Sequence, residues 1–322
     1  MPGRAVGLIA RHGRTVLVLG LIAGALLPGL ALAMRPWIGW MVASLLFLAA
    51  LRVGPRQAVG AVGDIGRAAA LTLALQVAMP LAAIGTALLL GVAAAPIATF
   101  IVLMLAAPPI SGSPHLAVMC GDDPGPVLRQ LVVGTLFLPA TVLPVFWLTP
   151  VLGDPAEVLR VAGGLTALIA VAGGGAFLLR STVLRTPSPT ALQAIDAASA
   201  LTMAIVVIGL MSAVGPAMRE SPSSFLLTLA LVCALNFVIQ VAAALSSRHW
   251  GGRVAATGIV SGNRNIALFL SVLPQAAIDP LLLFIGCYQI PMYITPAMLG
   301  RFYRWAGRNA EGEPRGGGIS NR

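Results

Sequence analysis

What most constrains this chain is a succession of apolar runs, each about 20 residues long, with little polar sequence between them. Hydrophobic residues fill 58% of the 322 positions and charged residues only 9%, against about 25% charged in a soluble domain. Mean hydropathy is +0.94. Lipid offers no water to backbone amides, so only helices or a closed barrel can span a bilayer. The runs are continuous, whereas barrel strands alternate, and about 20 residues is what a helix needs to cross the hydrocarbon. The chain is therefore expected to be an all-α polytopic membrane protein.

Ten transmembrane helices fit the hydropathy, at residues 15–34, 37–54, 68–91, 93–120, 126–149, 157–180, 196–218, 222–246, 254–275 and 279–303. The basic N-terminus MPGRAVGLIARHGRTVL leads straight into the first span with no short apolar region and cleavage site, and reads as an uncleaved anchor. There are no lysines, so all 20 positive residues are arginines. With both termini in the cytoplasm, 16 of them lie inside, only Arg35, Arg160 and Arg219 lie outside, and Arg264 falls in the membrane. An inner-membrane location is expected. No arginine stripe with interleaved aromatics is present, so the net charge of +10 speaks for topology and not for nucleic acid. The cysteines Cys120, Cys233 and Cys287 form no CxxC pair and read as helix-packing residues. The tail, residues 304–322, is polar and glycine-rich and is expected to be disordered.

The chain also repeats itself. GTLFLPATVLP in the fifth span and GCYQIPMYITP in the tenth share a glycine and two prolines at a constant offset of 152 residues, Gly134 to Gly286. Ser111-Gly112 and Ser261-Gly262 match at an offset of 150. Two repeats follow, residues 1–151 and 152–303. Five spans in each force the second to enter the membrane from the opposite side, so the topology is inverted, as in secondary transporters that bind substrate at the repeat interface.

The fourth span, TFIVLMLAAPPISGSPHLAVMCGDD, is expected to break at Pro108-Pro109 and Gly112 and to restart at Ser113-Pro114, a serine N-cap before a proline. The ninth, with SGNRN, is expected to break at Gly262 and restart with Asn263 as cap. Unwound backbone at membrane depth belongs only inside protein or beside a water-filled cavity. Paired breaks in the two halves are therefore the sequence pointer to a binding site.

The block APPISGSPHLAVMCGDD…GTLFLPATVLP together with SGNRNIALFL resembles the bile acid:sodium symporter family. The resemblance implies a panel of spans 1, 2, 6 and 7 and a core of spans 3, 4, 5, 8, 9 and 10, in which helices 4 and 9 cross at their unwound centres. It also implies sodium-coupled uptake of organic anions such as bile acids and small carboxylates. The chain departs from the pattern at the sodium ligands. Ser113-Pro114 stands where the family has Ser-Asn. Matched on Gly262 and Asn265, the family's glutamate falls on Val260 and its glutamine on Arg264. Its third-span glutamine has a counterpart in Gln76. None of the ten acidic residues lies mid-span, so sodium is not expected to be required and no cofactor is expected.

An arginine at the bilayer centre costs about 2.5–3.5 kcal/mol on insertion scales and must face a partner or a cavity. Two readings compete: Arg264 supplies as a fixed charge what sodium supplies in the relatives, through backbone carbonyls, or it binds the substrate carboxylate in fork geometry. The half-helix starts at Ser113 and Asn263 would add their dipoles. The expected substrate contacts are Arg264, Asn263, Asn265, Ser261, Ser111, Ser113, His115 and Gln76. Thr135 and Gln289 are candidates for the core cavity. Asn236 and Gln240, four residues apart, read as interhelical hydrogen-bonders, and Asp196 as a helix-start residue. No HExxH, GxSxG, paired carboxylates or metal-ligand cluster occurs in the spans, so an enzyme is not expected. The alternatives to an organic-anion transporter are a non-transporting sensor on the same fold and an arsenite-type efflux carrier. The latter expects a cysteine where Ala106-Ala107-Pro108 stands.

Overall fold

The computed structural model describes residues 13–62, 65–250 and 252–311. The expectations for the N-terminal anchor before residue 13, and for the tail beyond 311, lie outside these residues. Among the described residues the chain is helical, with no strand and one isolated β-bridge. In order come α1 Gly13–Leu26, α2 Pro28–Met34, α3 Ile38–Val62, α4 Ile65–Leu73 and α5 Met79–Leu89. Then follow α6 Pro96–Ala106, α7 Ser113–Cys120, α8 Pro124–Trp147, α9 Pro155–Ile169, α10 Gly175–Thr182, α11 Pro189–Leu210 and α12 Val214–Glu220. The last are α13 Pro222–Ser247, α14 Val254–Gly262, α15 Ala267–Leu270, α16 Gln275–Ile278 and α17 Leu282–Glu311. Single π turns, Ala74–Ala78 and Ala170–Gly174, join α4 to α5 and α9 to α10.

Among the described residues, seven helical stretches are long and apolar enough to cross a membrane, from Pro28–Gly60 to Gln275–Gly307. The three other expected spans fall on shorter pieces: Thr15–Leu26, Pro96–Ala106 with α7, and α14 with α15. Proline opens many of the helices, where its missing N–H costs nothing. Asp123, Asp154 and Ser188 cap three of these, accepting from the amides of Gly125, Glu157 and Ala191. The tail differs from expectation. Helix α17 continues through Glu311, so residues 304–311 are helical.

Close contacts fix the helix directions. A methyl group built on Gly13 would touch Ala200, and one on Gly24 would touch Ile208 and Met211, so α1 runs parallel to α11. Helix α3 runs the other way along α11, with Ile38 against Gly209 and Arg52 paired with Asp196 at 2.7 Å. The chain therefore reverses between Gly24 and Ile38. Phe47 against Gly175 and Gly54 against Arg180 lay α3 alongside α9–α10. Helices α4–α5 and α8 run parallel, tied by Gln130 to Thr72 at 2.7 Å and Gln76 to the Gly134 carbonyl at 3.2 Å.

The two interrupted segments hold the centre. Every residue of α14, and α6 from Ala98 to Ala106 apart from Ile101, is buried. These helices are walled by protein, and one continuous apolar cluster surrounds them.

Candidate functional site

Helix α6 stops where Pro108 and Pro109 offer no N–H, and Ala107, preceding a proline, turns extended (φ −68°, ψ 149°). The freed backbone meets the second break. Ile110 N–H donates to Asn263 O at 3.0 Å and Asn265 N–H to Pro108 O at 2.7 Å, an antiparallel bridge centred on Pro109 and Arg264. The restart differs from expectation: Gly112 is the N-cap of α7, Ser113 is already helical, and its buried hydroxyl makes no hydrogen bond among the described residues. The second break also differs. Helix α14 runs through Gly262 and ends at Asn263, whose amide and side chain both bond Ile259 O, at 3.0 and 3.1 Å. Asn263 thus closes one helix and does not open the next; α15 is a single turn preceded by Ile266. The Ser-Gly matches are not equivalent either, since Ser261-Gly262 lies before the bridge and Ser111-Gly112 after it.

Arg264 is 1% exposed. Its Nε donates to Ser261 O at 2.8 Å and its Nη1 to Ala107 O at 2.9 Å. Both carbonyls have been released by the breaks, one in each interrupted segment. In a continuous helix Ser261 O would accept from Asn265, whose N–H has gone to Pro108. The guanidinium supplies the missing donors. Its Nη2 is buried and makes no hydrogen bond among the described residues. Tyr288 completes the joint: its hydroxyl accepts from Arg264 N–H at 3.0 Å and donates to Gly262 O. Asn236 Nδ2 donates to the same carbonyl at 2.7 Å. The Tyr288 ring packs edge-on against Phe100, centroids 5.8 Å apart.

Behind Arg264 lies a closed polar network. Gln240 donates to Asn236 Oδ1 at 2.5 Å and to Thr295 Oγ1 at 3.1 Å, and accepts from Asn263 Nδ2 at 3.2 Å and Tyr303 O–H at 2.8 Å. Asn236 and Gln240 are thus the interhelical bonders their spacing suggested. Tyr288, Thr295 and Tyr303 were not legible as site residues. On the other side Gln76 is buried between Gly134 O and Thr141, whose hydroxyl donates to its Oε1 at 3.0 Å.

In front lies a cavity of about 310 Å³ between α3, α10, α11 and the crossing. Its wall is apolar except for Ser111, Thr135, Arg264, Asn265, Gln289 and Tyr293. Of the expected contacts, Arg264, Asn265 and Ser111 are in this wall, as are Thr135 and Gln289. The Ser261 hydroxyl bonds Thr257 O at 2.6 Å, and Asn263 and Gln76 are spent in the networks above. Ser113 is buried outside the wall, and His115 is exposed on α7. Asp196 pairs with Arg52 at the surface.

Compared with known proteins, the chain matches no protein-family model and no curated protein. The crossing does not suit a sodium ion. A cation there would need the Ala107 and Ser261 carbonyls, which a guanidinium already occupies, and its fixed charge would repel a second one. Val260 and Pro114, at the positions where the resemblance looks for ligands, bring no oxygen from their side chains. Chemically, the site is a largely apolar chamber with one buried positive charge at its polar end.

Proposed function

We propose that the chain is a secondary transporter for an organic anion, a divergent relative of the bile acid:sodium symporter family in the inner membrane with both termini cytoplasmic. Its ten spans form two inverted repeats of five, and a panel of α1–α3 and α9–α12 works against a core of the remaining helices by alternating access. One observation carries the reading: a lone guanidinium buried where two interrupted helices cross, beside an otherwise apolar cavity. The antiparallel bridge between the breaks is compatible with inverted repeats, because a local two-fold axis passing between Pro109 and Arg264 exchanges the two strands. The substrate is an amphipathic monoanion, bile-acid-like or a smaller carboxylate. Its apolar body lies on the cavity wall, and its charge is drawn toward Arg264, with Ser111 and Asn265 beside it.

Arg264 also replaces the coupling cation, so transport needs no sodium. A thermal-shift screen of carboxylates on purified protein should yield ligands that stabilise the fold, by about 2.7 kcal/mol at a hundred times their Kd. In proteoliposomes, uptake of those ligands should persist when choline replaces sodium. A strict sodium requirement overturns the sodium-independent mechanism; stabilisation without flux overturns transport.

A further inference from the structure

The cavity extends toward one end of the molecule. On α3 its wall runs from Val42 to Val59, and on α9–α10 from Ile169 to Phe177. These stretches lead away from the Arg35–Asp279 end and toward the end marked by the Arg52–Asp196 pair. At the opposite end the segment Ser271–Leu273, which follows α15, is wedged between two helices. A Cβ built on Gly39 of α3 would lie 3.6 Å from Ser271 Cβ. One built on Gly164 of α9 would lie 3.5 Å from Val272 Cβ and 3.0 Å from its Cγ1. Two glycines, one on each helix, thus leave room for the segment to seat. Arg160, held by Glu157, reaches Val272 O at 3.4 Å, and Arg35 pairs with Asp279 just beyond.

We infer that Ser271 and Val272 form a plug, seated on Gly39 and Gly164 and latched by Arg35–Asp279 and Arg160, which seals the cavity at that end and must leave its seat for the other side to open. On the arginine distribution the sealed end is the outer one, and the cavity extends toward the inner one. The plug is a matter of packing and holds whatever the ligand proves to be.

Cysteine pairs test it directly. Both Cβ separations, 3.6 and 3.5 Å, fall in the range of about 3.5–4.5 Å that disulfides require. Gly39→Cys with Ser271→Cys, and Gly164→Cys with Val272→Cys, should each cross-link on mild oxidation in native membranes. Thiols left free after denaturation, counted by maleimide-polyethylene glycol gel shift, report the bond. In each locked protein Thr135→Cys, in the cavity wall, should react with a membrane-impermeant maleimide from the side that labels Thr186→Cys. Labelling from the side that labels Val151→Cys should be lost. Failure of folded pairs to cross-link, loss of Thr135→Cys labelling from the Thr186 side on locking, or labelling from the Val151 side would overturn the plug. If a pair does not fold, Arg35→Gln gives the second reading, because it removes the Arg35–Asp279 arm of the latch and leaves the seat intact. It should increase labelling of Thr135→Cys from the Val151 side, and unchanged labelling would count against the plug. A chain that transports nothing would still cross-link and label this way, so failure of the transport reading remains distinguishable.

Discussion

Arg264→Met is expected to lower the unfolding free energy by about 2–4 kcal/mol and to abolish anion flux. The side chain donates to both Ala107 O and Ser261 O, whose helical partners were lost at the two breaks. Hydrogen bonds to a charged group contribute about 1.5–3 kcal/mol each. Inside membranes the values are smaller, about 1–2 in model peptides, because the unfolded chain also finds partners. Two bonds of about 1–2 kcal/mol each give the stated range. Removing the charge itself relieves little, since the guanidinium remains in lipid when the membrane-inserted chain unfolds. Arg264→Lys keeps the charge but loses the planar fork, so it should recover at most one of the two bonds. Denaturation of the purified variants in mixed micelles measures the stability, and the thermal shift given by taurocholate measures the ligand role. If Arg264→Met is as stable as the wild type, the carbonyl-bridging role falls. If it loses stability but keeps the ligand shift, the anion-binding role falls instead.

Much of the frame was written in local chemistry that a sequence exposes. Apolar run length marked the helical stretches, and Pro108-Pro109 marked the end of α6 because two missing amides have only one consequence. The mid-span arginine stood out for its cost. What was hidden depended on neighbours distant in the chain. Nothing local distinguishes a serine that caps from Ser113, which lies one residue inside its helix because Gly112 takes the cap. Asn263 suits either end of a helix, and in the fold its side chain turns back to Ile259 O. Tyr288 looked like one aromatic among apolar residues, and only the fold brings its hydroxyl to the break. One signal of packing is present in the sequence: Gly258 and Gly262 are four residues apart, the small-residue spacing that lets membrane helices approach closely. Gly262 is helical and serves that packing, not the break.

That distinction gives the second large effect, because propensity and packing predict opposite signs for Gly262→Ala. Alanine is favoured over glycine inside a helix by about 0.8–1.0 kcal/mol, so a position that only needed helicity would be stabilised. A methyl group here would lie 2.7 Å from the backbone oxygen of Asn236 and closer still to the Gln240 side chain. The oxygen belongs to α13 and cannot swing aside as a side-chain end would. Overpacking of this kind costs about 1–3 kcal/mol, occasionally more. The displaced helix would also loosen Asn236 Nδ2 and Tyr288 O–H from Gly262 O, and with them the seat of Arg264. The expected net result is a loss of about 1–3 kcal/mol together with loss of flux. Gly163, in α9, is the control, because a methyl built there meets nothing within 4 Å. Gly163→Ala should therefore gain about 0.5–1 kcal/mol. Opposite signs for the two alanines in the same denaturation assay would establish that α14 is pressed against α13 at Gly262; a stabilised Gly262→Ala would mean that the crossing is looser than these contacts require.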